Sequence, residues 1–225
     1  MVVLSSKKTL YGIGILLSLI LIWGISFQLK YLNFPSLTLR FAYSRLITWA
    51  GLLFIVLYSI YIEKGRFLIW DEKNYGMGKS IRYFFSLYGI ILVCGYLSFS
   101  VSQLLGIKES NFIVGKLMGI LKGNYPLIFF TVITAGITEE LIFRGYFLPR
   151  LAEIFKSEGI GFLLSSLLFS FSHFGYNSLK ELLFTFLMGF VASYFYYKYR
   201  NIKILILLHI FIDTVTILFY TLIRK

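Results

Sequence analysis

LIFFTVITAGITEELIFRGYFL, residues 127–148, is long and apolar enough to cross a bilayer, yet Glu139, Glu140 and Arg144 stand in its carboxy-terminal half. A helix rising ~1.5 Å per residue needs ~20 apolar residues to span a hydrocarbon core ~30 Å thick, and this run supplies them. Acids at the centre of such a span cost on the order of 2.5–3.5 kcal/mol on insertion scales, so they call for a functional reason. Glu140 and Arg144 are spaced i, i+4 with the acid amino-terminal, which lets one helical face close an ion pair. On a 3.6-residue helix Glu139 points ~100° away from that pair. One carboxylate is expected to be held and its neighbour to face a cavity, where desolvation and nearby cations tune it as a general base.

Similar apolar windows lie on both sides, at residues 10–29, 46–62, 83–105, 160–174, 182–197 and 204–223. The expected fold is an all-α, polytopic membrane helix bundle of about seven spans. Residues 111–124, interrupted by Lys116, Lys122 and glycines, form an interfacial helix or a short eighth element. Residues 63–82 make a polar connection. Nothing resembling a linker divides the chain, so residues 1–225 are read as a single membrane domain: 1–110 contribute three amino-terminal spans and 125–223 a catalytic four-helix region. The first apolar run is too long for a signal-peptide core and is read as a retained span.

Composition agrees: 58% of the 225 residues are hydrophobic and only 14% charged, against roughly 25% in soluble domains. The net charge of +12 comes from cations placed singly or in pairs between apolar runs, which suits anchoring to anionic lipid and excludes an extended nucleic-acid face. The single cysteine, Cys94, rules out an intramolecular disulfide and any Cys-rich metal cluster. Lys and Arg are more numerous in the segments that share a side with the amino terminus, which places that side in the cytoplasm. On that charge count the site opens toward the cytoplasm of a multi-pass cell-membrane protein.

Both histidines of the chain lie near the acids in this scheme. His173 closes the run Phe169-Ser170-Phe171-Ser172-His173, and His209 shares a helical face with Asp213 at i, i+4. Counted from the turn near Ser157, Glu139 and His173 reach nearly equal depth. His209 reaches it only if the polar hairpin at residues 150–159 projects from the membrane. Asp213 would fix the His209 tautomer or join it in binding an ion. Each feature also has a plain structural reading: an ion-pair knot for the two glutamates and Arg144, an internal hydrogen bond or proton relay for His209 and Asp213, and packing for Phe169.

The three motifs taken together, Glu139-Glu140-x-x-x-Arg144, Phe169-x-x-x-His173 and His209-x-x-x-Asp213, resemble the CAAX protease and bacteriocin-processing (CPBP/Abi) family of intramembrane endopeptidases over residues 128–216. The resemblance implies that Glu139 and His173 activate water, that Glu140 with Arg144 braces the site, and that His209 with its fourth-position partner stabilises the oxyanion. That partner is often Asn in the family, and Asn can donate a hydrogen bond where an ionised Asp213 cannot. Family enzymes are commonly called metalloproteases. Zn2+ on His173 and His209 with a carboxylate is one expectation, and metal-free glutamate-activated water the other. The implied partners are the bilayer and a peptide or lipidated (CAAX-type) protein substrate. The competing readings are a proton- or cation-coupled transporter and a non-catalytic membrane immunity or partner protein.

Overall fold

In the computed structural model, which describes residues 2–107, 109 and 112–223, every regular element is helical. The elements are α1 (Val2–Leu19), α2 (Ile25–Gln28), α3 (Leu37–Tyr61), α4 (Met77–Leu104), α5 (Phe112–Leu121), α6 (Tyr125–Thr134), α7 (Leu148–Phe155), α8 (Glu158–Phe171), α9 (Leu179–Tyr199) and α10 (Ile202–Ile223). A π-helical segment, Ala135–Phe147, joins α6 to α7 into one continuous rod, and a shorter one, Ile20–Gly24, joins α1 to α2. Seven helical stretches are long and apolar enough to cross a membrane. Helix α5 is not one of them: its ten residues reach only ~15 Å. Asn111, with which the sequence window for this element begins, lies outside the described residues.

Local chemistry sets the helix starts. Ser36, Asn124, Ser157 and Ser178 each accept a backbone N–H of the first turn from Leu39, Leu127, Ile160 and Glu181 respectively. Ser178 with Glu181 has the spacing of a capping box. Lys156 and Arg200 take left-handed conformations, both at φ 52°, and so turn α7 into α8 and α9 into α10. Gly161 has no side chain because the Ala152 backbone lies where its Cβ would stand, 3.1–3.2 Å away, and this close approach locks the α7–α8 hairpin.

The span Tyr125–Phe155 is the axis of the bundle, 61% buried where the other six are at most 39% buried. Their outward faces carry Leu53, Phe85, Leu92 and Leu207, all exposed. The axis therefore borders all three apolar clusters of the interior. One joins α4, α9 and α10 through Ile91, Met188 and Leu205. A second joins α1, α3, the π segment and α8 through Ile15, Ile55, Phe143 and Phe169. The third joins α5, α6 and α10 through Leu121, Ile128 and Ile217.

This span also runs seven residues beyond the sequence window that ended at Leu148, and the first residue of the expected polar hairpin turns inward. Arg150 does not project into water. Its guanidinium is fully buried and grips Glu63 through Nε at 3.0 Å and Nη2 at 2.6 Å, while Tyr146 donates its hydroxyl to the same carboxylate at 2.6 Å. Arg150 also donates to the carbonyl of Phe67 at 3.1 Å, which ties the connection after α3 to α7. Geometry this complete is what a buried ion pair needs to offset its desolvation.

Candidate active site

Glu139 and Glu140 sit on the π segment. A π-helix closes i→i+5 bonds and turns less per residue than an α-helix, and such segments recur at functional sites. The ~100° separation expected of the two carboxylates therefore shrinks, and both reach the same imidazole. Glu140 Oε1 accepts from Arg144 Nη1 at 3.0 Å and from His209 Nδ1 at 2.8 Å. His209 Nε2 lies 3.9 Å from Glu139 Oε2 and 3.8 Å from Asp213 Oδ2. The expected Glu140–Arg144 pair is present and fully buried. The tautomer of His209, however, is fixed by Glu140, because a carboxylate only accepts and Nδ1 must carry the proton. At 3.8 Å Asp213 is too far to hold the ring by a hydrogen bond.

Two features bring α10 this close. Gly136, one turn before the acids, leaves room for Ile210: a Cβ there would stand 2.4 Å from the Ile210 side chain and about as near the α10 backbone as a packed atom can go. Phe169 of α8 then fills the space below. Its ring stacks under the Arg144 guanidinium at 4.2 Å and meets His173 and His209 edge-on at 4.9 and 6.2 Å. The Arg144 nitrogens Nε and Nη2 have no hydrogen-bond partner among the described residues, and the Phe169 ring face supplies a cation–π contact in their place.

His173 caps the end of α8, where its Nδ1 donates to the carbonyl of Phe169 at 2.9 Å and leaves Nε2 available. It makes no direct hydrogen bond to Glu139 among the described residues, and the two share the wall of a cavity of about 220 Å3. His209, Asp213, Phe169 and Tyr176 line the same space. Glu139 lines this cavity, and its Oε2, buried beside His209 Nε2, has no hydrogen-bond partner among the described residues.

The cavity runs from mid-depth to the face that carries the start of α3, helix α5, Tyr176, Lys180 and Tyr220. This is the face opposite the 156–159 turn. The depth count from that turn put Glu139 and His173 at one level, and both line this cavity. Helix α5, read from sequence as interfacial, forms one flank of the cavity with Val114, Leu117, Met118 and Leu121. Glu109 fastens the neighbouring flank by accepting from the Lys180 amide at 2.9 Å and from the Ser102 hydroxyl. Desolvation pushes its carboxyl upward, but the Ser102 and Ser178 hydroxyls and the Lys180 amide outweigh it and hold the group below the usual carboxylate range.

Among the described residues no three His, Cys, Asp or Glu side chains are grouped to hold an ion. His173 and His209 each commit Nδ1 to the protein and keep Nε2 for another partner, the division of labour a metal-binding imidazole also uses. Arg45 and Tyr176 went unnoticed in the sequence although both line the cavity. The signal for Arg45 was available: it is an isolated cation two turns into a helix whose start Ser36 marks.

The chain is thus a polytopic membrane helix bundle whose central rod presents an acid–imidazole cluster to an internal cavity. Residues 122–215 match the family described as type II CAAX prenyl endopeptidase Rce1-like, a protease family and the one its three motifs resemble. No curated protein and no solved structure matches the chain.

Proposed function

We propose that the protein is an intramembrane endopeptidase in which Glu139 activates water. The observation that carries this reading is the Glu139 carboxylate on the cavity wall, without a hydrogen-bond partner among the described residues, 3.9 Å from His209 Nε2 and sharing the cavity with His173. Water held between Glu139 and His173 gives a proton to the carboxylate as its oxygen attacks the peptide carbonyl. His209, gripped on Nδ1 by Glu140, presents Nε2–H in its doubly protonated form to the oxyanion. The C–N bond then breaks, and Glu139 returns the proton to the departing amine. Glu140, Arg144 and Phe169 hold the His209 ring in place. The apolar flank of α5 suits a hydrophobic or lipidated stretch of the substrate.

The test is cleavage of a peptide library by the detergent-purified protein. Both His173→Ala and His209→Ala are expected to lower kcat by about 100-fold or more, with His209→Ala also lowering thermal stability because it takes a buried partner from Glu140. Full cleavage by both folded variants would sink the mechanism.

The face bearing the mouth is the one poorer in Lys and Arg, so we place it on the non-cytoplasmic side. In a Cys94→Ser background, Gly175→Cys beside the mouth is expected to react with an impermeant maleimide on intact cells, and Glu158→Cys only after permeabilisation. The reverse pattern would return the opening to the cytoplasm.

A further inference from the structure

A tetrahedral intermediate is stabilised by donors aimed at its oxyanion, usually more than one. His209 Nε2 supplies one of them in the mechanism above. Asp213, 3.8 Å from that nitrogen, only accepts when ionised. Several other donors on the cavity wall are committed elsewhere. Lys180 pairs with Glu181 at 3.2 Å, and Arg45 interacts with the charge of Asp213. The Thr131 and Thr185 hydroxyls donate to the carbonyls of Leu127 and Glu181, one turn back on their own helices. Tyr176 lines the same cavity, and its hydroxyl donates to no group among the described residues.

The backbone puts this ring beside the reacting groups. His173 ends α8, and Phe174–Tyr176 follow as a single 3-10 turn, in which the Tyr176 amide donates to the His173 carbonyl at 3.0 Å. Such a helix repeats every three residues, so the side chains at 173 and 176 share one face. Their ring centroids are 5.7 Å apart. The Tyr176 hydroxyl is also within electrostatic range of Glu139 and Asp213. Those two carboxylates flank His209 Nε2, at 3.9 and 3.8 Å, so the phenol extends from the His173 side of the cavity toward the His209 side. Asn177 then turns the chain away at φ 52°, and Ser178 starts α9 by accepting the Glu181 amide. The turn is thus clamped between two helices, which fixes the ring before substrate arrives.

We propose that Tyr176 is a further catalytic residue, the second donor to the oxyanion, acting together with His209. The assignment rests on the endopeptidase reading above. As the water oxygen bonds to the carbonyl carbon, the π electron pair moves onto the carbonyl oxygen, which accepts from Tyr176 O–H and His209 Nε2–H. Neither donor gives up its proton. When the intermediate collapses, that pair re-forms the C=O bond, the C–N bond breaks, and the phenol is left as it began. A fixed donor in a water-excluded cavity is worth far more than the same group in water. A neutral phenol also costs less to keep inside a membrane than another cation would.

The test is Tyr176→Phe, which removes one oxygen and keeps the ring. Cleavage of a fluorogenic peptide is expected to show kcat lowered by about 100-fold, KM changed by less than about twofold, and an unchanged melting temperature. A phosphinic peptide, tetrahedral and anionic where the scissile bond would be, is expected to lose affinity in step with kcat/KM. The cleaved product peptide is expected to bind as it does to wild type. Equal weakening of phosphinic peptide and product would make Tyr176 a ground-state contact and overturn the assignment. A kcat within about threefold of wild type would overturn it as well, being far short of what an oxyanion donor contributes. So would a loss of activity that came with a lower melting temperature and unchanged affinity for the phosphinic peptide, since the hydroxyl would then be structural. If wild type cleaves none of the peptides, the endopeptidase reading fails and takes the assignment with it. Cleavage at equal rates by wild type and Y176F defeats the assignment alone.

Discussion

Glu139→Gln is expected to lower kcat by about 10²–10⁴-fold, the range that a positioned general base contributes. The amide keeps the size of the carboxylate and loses only the ability to take a proton from water. Because Glu139 Oε2 has no hydrogen-bond partner among the described residues, the exchange removes none of the bonds that hold the bundle together, so thermal stability is expected to stay within about 1 °C of wild type. KM is expected to move little, since the group acts on water. The measurement is steady-state cleavage of a fluorogenic peptide with a melting curve on the same preparation. Retention of more than a tenth of the wild-type kcat would remove Glu139 from the role of base.

A large loss of stability is expected at Arg144. Arg144→Met takes the cation from a fully buried pair and leaves Glu140 with His209 as its sole partner among the described residues. Breaking a buried pair from one side costs about 3–5 kcal/mol. His209 stays bonded to Glu140 Oε1, so the lower end of that range is expected. The Phe169 ring also loses its stacked cation. The double variant Glu140→Gln/Arg144→Met removes the stranded charge and is expected to recover most of the loss, because buried pairs replaced from both sides are often close to neutral. A single variant that melts with wild type would show that the pair contributes nothing net.

These expectations rest on parts of the molecule that were unequally legible in the sequence. The spans were readable because a membrane helix must satisfy its backbone within itself, so composition and run length alone report it. The ion pair of Glu140 with Arg144 was equally accessible, since both ends lie on one turn. The π geometry of Ala135–Phe147 was not: no residue pattern marks i→i+5 bonding, and here it goes with the approach of α10 against Gly136, which is a tertiary event. The Glu140–His209 bond joins residues 69 apart, and the Glu63–Arg150 pair residues 87 apart. Both were hidden for the same reason. Asp213 looked like the partner of His209 because i, i+4 neighbours are the pairs a sequence can show, while the nearer partner came from another helix.

The grip of Arg150 on Glu63 bears on how the chain can be divided. Residues 122–215 carry the family match and every candidate catalytic group, yet this stretch contains Arg150 without Glu63, and Thr134 without the Trp49 that donates to it. Excised, it would hold an unpaired guanidinium among apolar side chains in a region shaped to exclude water. The recognisable segment is thus not a transplantable module. The connection after α3 completes the pairing of α7, and a chain cut between residues 105 and 111 is expected to regain its site only if both fragments are supplied together.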